Sequence, residues 1–321
     1  MDIFNLKEKV KNGYKINREE AIELYKSDYK ELTQSADEIR EYFCGSDFDM
    51  CTIINAKSGK CSENCKFCAQ SAHYDTHVKE YGLLSEEIIV KDAIDKYKRG
   101  IPRYSMVASG KGLTDEDIDK ICRITNKIHE SAPDLKICIS GGLISEEGFE
   151  KLKKAGIRRV HNNLETSRDY FKEICSTHSY DQKINTIKAA KKAGMEVCSG
   201  GLIGLGESYI DRIDMAFELQ ELEIQSIPVN LLNPIKNTPL ENNEILSMEE
   251  LNRTCATFRF INPKASIRLA GGRALMEEFG KSAFKSGANA TISGVLLTTD
   301  GITIEDDMNM LDELKYNVKA V

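Results

Sequence analysis

The stretch Thr52-Ile53-Ile54-Asn55-Ala56-Lys57-Ser58-Gly59-Lys60-Cys61-Ser62-Glu63-Asn64-Cys65-Lys66-Phe67-Cys68 joins a β-rich run to a loop that carries three cysteines. The short apolar run stops at Ser58-Gly59, which reads as a buried strand released into a loop. The same unit recurs along the chain, a β-rich run before an amphipathic, capped helical run. That rhythm is the signature of βα units and a parallel sheet. Strands are expected at 52–57, 103–108, 135–140, 159–165, 196–200, 226–231, 266–270 and 288–293. Eight such runs fit a closed α/β barrel of the (β/α)8 TIM type. The helices between them have legible ends. Ser85 with Glu86 and Glu87 opens one that Gly100 closes; Thr114 with Asp117 and Ser247 with Glu250 make capping boxes; Gly156 and Gly194 mark C-terminal stops. Residues 1–46 are expected as a helical extension, 47–301 as the barrel and 302–321 as a C-terminal helix or tail.

A chain of 321 residues is a length that α/β barrels use as one domain. The formal charge of -7 argues against nucleic acid as the main partner, since such proteins gather Lys and Arg on one face. Runs such as Lys151-Leu152-Lys153-Lys154 read as solvated helix faces. Met1 to Lys11 mix charged and apolar residues without an apolar stretch, so neither a secretory signal nor a membrane span is expected there, and the chain is expected in the cytoplasm. In that reducing compartment, ten cysteines are expected to be metal ligands or buried thiols rather than disulfides.

Cys61, Cys65 and Cys68 fall in the first βα loop, at the barrel end where catalytic groups gather. Three thiolates on one loop can hold three corners of a 4Fe-4S cubane and leave the fourth iron open. An open iron can chelate the amino and carboxylate groups of S-adenosylmethionine (SAM) and pass one electron to its sulfonium. The competing reading is a structural zinc completed by His73 or His77. Structural zinc knuckles usually pair two such turns, and no second one exists here.

Side chains alternate across a strand, so each strand divides into a helix-facing and an axis-facing set. Ile137, Ile139, Ile227, Val229, Ile267 and Leu269 form the apolar set. The axis is then lined by Ser105, Cys138, His161, Asn163, Glu165, Cys198, Asn230 and Arg268. Ordinary barrels fill the axis with branched apolar residues, because each unpaired polar group there costs about 1–3 kcal/mol. A polar, thiol-bearing axis therefore implies a cofactor or ligand inside, the alternative being a self-satisfied hydrogen-bond network with two inert cysteines. Cys122 and Cys255 fall in helical runs as packing residues. Cys44, Cys51 and Cys175 have no assigned role, although Cys175 is near enough to the barrel mouth to be a spare ligand.

From Cys51 to Thr298 the chain resembles the biotin synthase family of radical SAM enzymes. The resemblance is carried by Ser58-Gly59-Lys60-Cys61 through Cys68-Ala69-Gln70-Ser71, by Asn162-Asn163-Leu164-Glu165-Thr166-Ser167, by Cys198-Ser199-Gly200-Gly201 leading into Gly204-Leu205-Gly206-Glu207, and by Arg268-Leu269-Ala270-Gly271-Gly272-Arg273. It implies sulfur insertion between two unactivated carbons of dethiobiotin. A 5'-deoxyadenosyl radical abstracts the hydrogens and a second, auxiliary Fe-S cluster donates the sulfur. By the same resemblance Cys138, Cys198 and Arg268 match auxiliary-cluster ligands. Asn163 and Asn230 match dethiobiotin contacts, joined by His161, while Phe67, Asn163 and Glu165 match the SAM site. An electron donor such as flavodoxin or ferredoxin, cluster-repair proteins and a homodimer are also implied. Two positions depart from the pattern. Better-known members carry a third auxiliary-cluster cysteine on the second strand, where this chain has Ser105, a poor iron ligand, so either 2Fe-2S or a larger auxiliary cluster is open. His161-Asn162 also stands where they have Asn then His. Rival readings are another radical SAM enzyme, such as a methylornithine synthase or a hydrogenase maturase, and a non-catalytic metal-binding barrel.

Overall fold

The alternation of apolar and polar residues along each β-rich run is resolved in space by a closed sheet with one face on helices and the other on a central cavity. The protein is described by a computed structural model covering residues 1–320. Its strands are β1 (Asp47–Lys57), β2 (Arg103–Ala108), β3 (Lys136–Ser140), β4 (Ile157–His161), β5 (Glu196–Cys198), β6 (Gly201–Ile203), β7 (Ser226–Leu231), β8 (Ser266–Leu269), β9 (Ala290–Ser293) and β10 (Asn317–Lys319). They pair in parallel in the order β1-β2-β3-β4-β5-β7-β8-β9, and β9 returns to β1 to close the barrel. Ile137, Ile139, Ile227, Val229, Ile267 and Leu269 lie in the main hydrophobic core. Cys138, Asn230 and Arg268, on the other parity, line the cavity.

The observed strands differ from the expected ones where polar residues blur the alternation. β1 begins at Asp47, five residues before the expected start, because Asp49 turns inward and finds charged partners there. The fourth strand ends at His161; residues 162–164 lie outside it, and Glu165, at φ 75°, rejoins the sheet only through an isolated bridge to Gly201. The fifth is interrupted after Cys198 and resumes as β6, which lies beside β7. Thr114 caps its helix by accepting from the Asp117 amide, but the reciprocal half of the expected box is missing, since the Asp117 carboxylate meets Lys57 Nζ at 2.8 Å. Glu250 is likewise drawn to Arg212 at 3.5 Å, while Ser247 still accepts from the Glu250 amide.

Helices Ile3–Lys11, Arg18–Lys26 and Tyr29–Cys44 precede β1 and are N-capped by the side chains of Asp2, Asn17 and Asp28. Leu6, Leu24, Leu32 and Ile39 join the same core as the barrel helices. At the other end, helix Ile304–Glu313 leads to β10, a strand that the sequence reading did not contain, and Asn317 pairs with Asp47 at the start of β1. Tyr316 anchors this segment with its hydroxyl on the Phe284 carbonyl at 2.7 Å. Among the described residues no helix is long and apolar enough to cross a membrane.

The seam between β8 and β9 is tied by a buried cation. Arg259, on helix Met248–Ile261, donates to the carbonyls of Gly287, Pro263 and Ala265 and to Asn289 Oδ1 at 2.7–3.0 Å. Asn289 Oδ1 in turn accepts from the Ile267 amide. Each buried acceptor left unsatisfied costs about 1–3 kcal/mol. Arg259→Met is therefore expected to lower stability by roughly 3 kcal/mol or more, read as a lowered urea midpoint under anaerobic conditions.

Candidate functional site

The loop after β1 is held by its own backbone and by residues far away in sequence. Cys61 donates its amide to the Gln70 carbonyl, and the Cys61 carbonyl accepts from Ala72, so the loop returns on itself. The Gln70 side chain accepts from the Gly59 amide at 3.1 Å, and the Ser71 hydroxyl donates to the Glu63 carbonyl at 2.6 Å. The Cys-Ala-Gln-Ser ending thus has a structural cause: two of its side chains clamp the loop. Cys68 donates its amide to the Cys65 carbonyl, which brings these two thiols to one side of a tight turn.

All ten cysteines are free thiols. Cys65 is pushed well above the ordinary thiol range, first by its hydrogen bond with Cys175, then by burial and by the charges of Cys175, Glu165 and Cys68. Burial is the main cause that raises Cys68 to about 11, with Cys61 and Glu165 adding to it. Clustered thiols of this kind resist ionising together unless a cation replaces their protons, which is what metal binding does. The donor set therefore fits an iron-sulfur cluster. Neither histidine of the zinc reading joins it: His73 Nε2 meets the Ser62 carbonyl, and His77 pairs with Asp75 at the surface.

Cys175, which the sequence offers as a spare ligand near the barrel mouth, sits against the cluster loop. Helix Arg168–Ile174 ends just before it, and residues 175–178 fold over the loop, with the Asn64 side chain bridging to Ser176 and Thr177. Donor atoms of Cys175, Cys65 and His178 lie within 4.8 Å of one another, and His178 Nδ1 is 2.6 Å from Glu63. Cys175 does not line the cavity. No signal in the sequence links Glu63 to His178 across so long a separation.

The cavity, about 290 Å³, runs down the barrel axis. All eight residues expected on the axis line it: Ser105, Cys138, His161, Asn163, Glu165, Cys198, Asn230 and Arg268, together with Phe67 and Cys68 at the mouth. Strand register arranges the deeper ones in layers. Cys51 is opposite Arg103, and Arg103 opposite Lys136, two residues before Cys138. The same step of two strands across and two residues along leads from Cys138 through Arg159 and Glu196 to Cys198. It continues from Cys198 through Ser226 and Ser266 to Arg268, and from Arg268 through Ala290 and Asp49 back to Cys51. Cys51, Cys138, Cys198 and Arg268 thus form one layer drawn from alternate strands, as a barrel of this shear requires. By the same steps Ser105, His161, Pro228 and Ile292 form the next layer toward the mouth.

Below the thiol layer lies a charged floor that the sequence reading missed. Asp49 is fully buried and accepts from Arg268 Nη2 at 2.6 Å, Arg159 Nη1 at 3.0 Å and Arg103 Nε at 3.2 Å. Burial alone would raise its pKa, but Arg268, Arg103 and Arg159 together hold the carboxyl below the usual range. Arg268 Nη1 also donates to the carbonyls of Asp49 and Thr291, so its guanidinium is held from two sides. A protonated guanidinium has no acceptor lone pair, and Arg268 in this state is an ion-pair partner first. Burial is likewise the largest influence on Cys198, yet His161, Arg268 and Arg159 outweigh it and bring that thiol down to about 6. Cys51 moves the other way, pushed up to about 12 by burial with Cys138 adding to it. A strand started at Thr52 left Asp49 and Cys51 outside the alternation. Arg159 shares parity with His161, so its inward direction was legible and went unused.

Nearer the mouth, asparagines stitch glycines into place. Asn163 Oδ1 accepts from the Gly200 amide at 3.1 Å and its Nδ2 donates to Glu165 Oε2 at 3.2 Å. Asn230 Nδ2 donates to the Gly201 carbonyl and its Oδ1 accepts from the Gly271 amide. Each amide is thereby fixed in orientation and keeps one donor hydrogen and one acceptor lone pair for a ligand. Only glycine fits at 200 and 201, where a Cβ would lie 2.0 Å from the Pro228 carbonyl and 2.3 Å from that of Glu165. Glu207 accepts from the Gly204 and Leu205 amides and pairs with Arg212 at 2.6 Å, which shapes the Gly204–Glu207 turn. Of the pair 161 and 162, only His161 faces the cavity; Asn162 donates outward to the Gly142 carbonyl.

Removing one partner of a buried ion pair costs about 3–5 kcal/mol. Asp49→Asn takes the carboxylate from beneath Arg268 and is expected to destabilise the metal-free chain by an amount on that order, measured by anaerobic urea unfolding.

Two family models match the chain: the Radical SAM superfamily over residues 56–219 and the Biotin and Thiamin Synthesis associated domain over residues 228–317. The biotin synthase of Brachyspira hyodysenteriae is 55% identical over 314 residues, covering 98% of this chain and 94% of that protein. The biotin synthase of Clostridium botulinum strain Hall is 52% identical over 317 residues, 99% of each chain. Among solved structures, the FeFe-hydrogenase maturase HydG matches with a TM-score of 0.85 at 20% identity, over 100% of this chain and 76% of its own. Methylornithine synthase matches with a TM-score of 0.82 at 19% identity, over 98% and 97%. At these identities the solved structures share the fold with this chain.

Proposed function

The chain belongs to the biotin synthase family of radical SAM enzymes, and on that premise we propose that Cys61, Cys65 and Cys68 hold the SAM-cleaving 4Fe-4S cluster above a dethiobiotin site in the barrel. The observation that carries this assignment is the loop itself: three free thiols on one clamped turn, opening on a cavity whose inner end holds further thiols. When bound, the cluster and SAM supply an electron and a carbon radical that takes hydrogen from unactivated carbon, which acid-base groups cannot do.

The chain's own residues bind and orient. Phe67, Asn163 and Glu165 stand where SAM would lie, near the cluster loop and the Gly200-Gly201 backbone. Asn163 and Asn230, with one donor and one acceptor left on each amide, complement a ureido group, which has both N–H and C=O. His161 replaces the family's usual order at that wall and faces the same space. Leu202, Leu231, Leu232, Ile235, Leu296 and Leu297 give the cavity apolar sides that exclude water from a reactive radical.

For the auxiliary cluster, 2Fe-2S or larger, Cys138 and Cys198 are the ligands from β3 and β5. Arg268 is beside them on its Asp49 support. Ser105, in place of the usual cysteine, makes this chain a variant of the family pattern. The partners that follow from this reading are dethiobiotin, a flavodoxin- or ferredoxin-type donor, cluster-repair proteins and a second copy of the chain, in the cytoplasm.

Two measurements check the assignment. Anaerobic incubation with dethiobiotin, SAM and a strong reductant is expected to yield biotin by mass detection; 5'-deoxyadenosine without biotin would point instead to a different radical SAM reaction. Replacing Cys61, Cys65 or Cys68 by Ala is expected to remove about four irons per chain, the content of one cubane, and with them all 5'-deoxyadenosine formation.

A further inference from the structure

The innermost part of the cavity contains a thiol that the assignments above leave unused. Cys51 lies on β1, is buried, and lines the same cavity as Cys138 and Cys198. Its sulfur has one weak hydrogen bond, 3.4 Å to the carbonyl of the adjacent Thr52. Cys138 by contrast meets Arg103 Nη1 at 3.7 Å, and Cys198 meets the Ser226 hydroxyl at 3.3 Å.

We propose that Cys51 is the third thiolate ligand of the auxiliary cluster, in place of the serine on β2. The inference rests on the biotin synthase reading of the site. Its basis is the closed layer: Cys51, Cys138, Cys198 and Arg268 are the four inward residues of one level of the barrel, one from each alternate strand. Ser105 belongs to the next level, with His161, Pro228 and Ile292. A ligand set drawn from one level brings three sulfurs toward a common centre from three sides, with Arg268 on the fourth.

The chemistry of the donors agrees with the geometry. Thiolate is the soft ligand that Fe-S iron prefers, while a serine hydroxyl binds well only after losing a proton it holds far more tightly. The charge of the floor agrees as well. Arg103, Arg159 and Arg268 converge on Asp49 at the base of this layer, and Arg159 also meets Glu196 at 3.0 Å, so guanidinium groups stand directly beneath the thiols. Thiolates and sulfides placed directly above would be drawn to these guanidinium groups. A position on β1 rather than β2 moves the third sulfur around the barrel wall without removing it from the cavity. This explains how the family's chemistry can persist with serine at 105.

The test uses the full chain, reconstituted anaerobically with ferrous iron and sulfide, and compares wild type with Cys51→Ala, Cys51→Ser, Ser105→Ala and Cys138→Ala. Iron and acid-labile sulfide are counted and Mössbauer spectra recorded. Cys51→Ala and Cys138→Ala are expected to fall to about four irons per chain, one cubane's worth, with a loop-cluster EPR signal that still responds to SAM and so reports an intact fold. Ser105→Ala is expected to keep wild-type iron. Cys51→Ser, close in size and safe for packing, is expected to lose or visibly alter the auxiliary spectrum. Wild-type iron and an unchanged auxiliary spectrum in either Cys51 variant would overturn the proposal. So would loss of the auxiliary iron from Ser105→Ala alone. Failure of the wild type to make biotin would instead strike the functional reading, independently of these metal counts.

Discussion

A carboxylate with no access to water, surrounded by three guanidinium groups, underlies the rest of this molecule. Asp49 at the base of the barrel accepts from Arg103, Arg159 and Arg268, which come from β2, β4 and β8. Buried charges are tolerated only when paired and hydrogen-bonded, and this set is. The network replaces the layers of branched apolar side chains that normally fill a closed barrel. By pairing its buried charges, it permits a polar, thiol-lined interior above it, where an apolar plug would leave no room for a cofactor.

Above that floor the site is positioned mainly by backbone shape. Gly200 and Gly201 let β5 and β6 pass within reach of Pro228 and Glu165, closer than any side chain allows. Asn163 and Asn230 then fix those glycines and Gly271, and Glu207 organises the turn that follows. At the mouth, Gln70 and Ser71 clamp the loop that presents Cys61, Cys65 and Cys68, and the turn at 175–178 braces it from outside. Motifs that look like family signatures are thus largely solutions to a packing problem: many polar groups must be aimed into a narrow space with none of them loose. One family model ends at residue 219 and the other begins at 228, yet β7 to β9 complete the same closed sheet as β1 to β5.

Much of this was legible from local pattern. Alternation with period two assigned the inward residues of the third, sixth and seventh barrel positions, and the cysteine spacing pointed to a cluster loop at the open end. Legibility failed where polar residues sat inside strands. Asp47 and Asp49 disguised the start of β1, which hid Cys51 as well. Asn162 to Glu165 continued the apparent fourth strand although regular pairing ends at His161 and only Glu165 bridges back to the sheet, and β10 is too short and too polar to announce itself.

The sequence by itself determined the class of fold, the loop that carries the three cysteines and the inward direction of most axis residues, because those depend on spacing along a strand and on side-chain type. Only the tertiary structure decided which inward residues share a level of the barrel, that three arginines converge on Asp49, and that Cys175 and His178 belong to the loop rather than to the interior. The physical reason is the closure of the sheet: levels follow from register between strands distant in sequence, and no local pattern records how eight of them are staggered when the last meets the first.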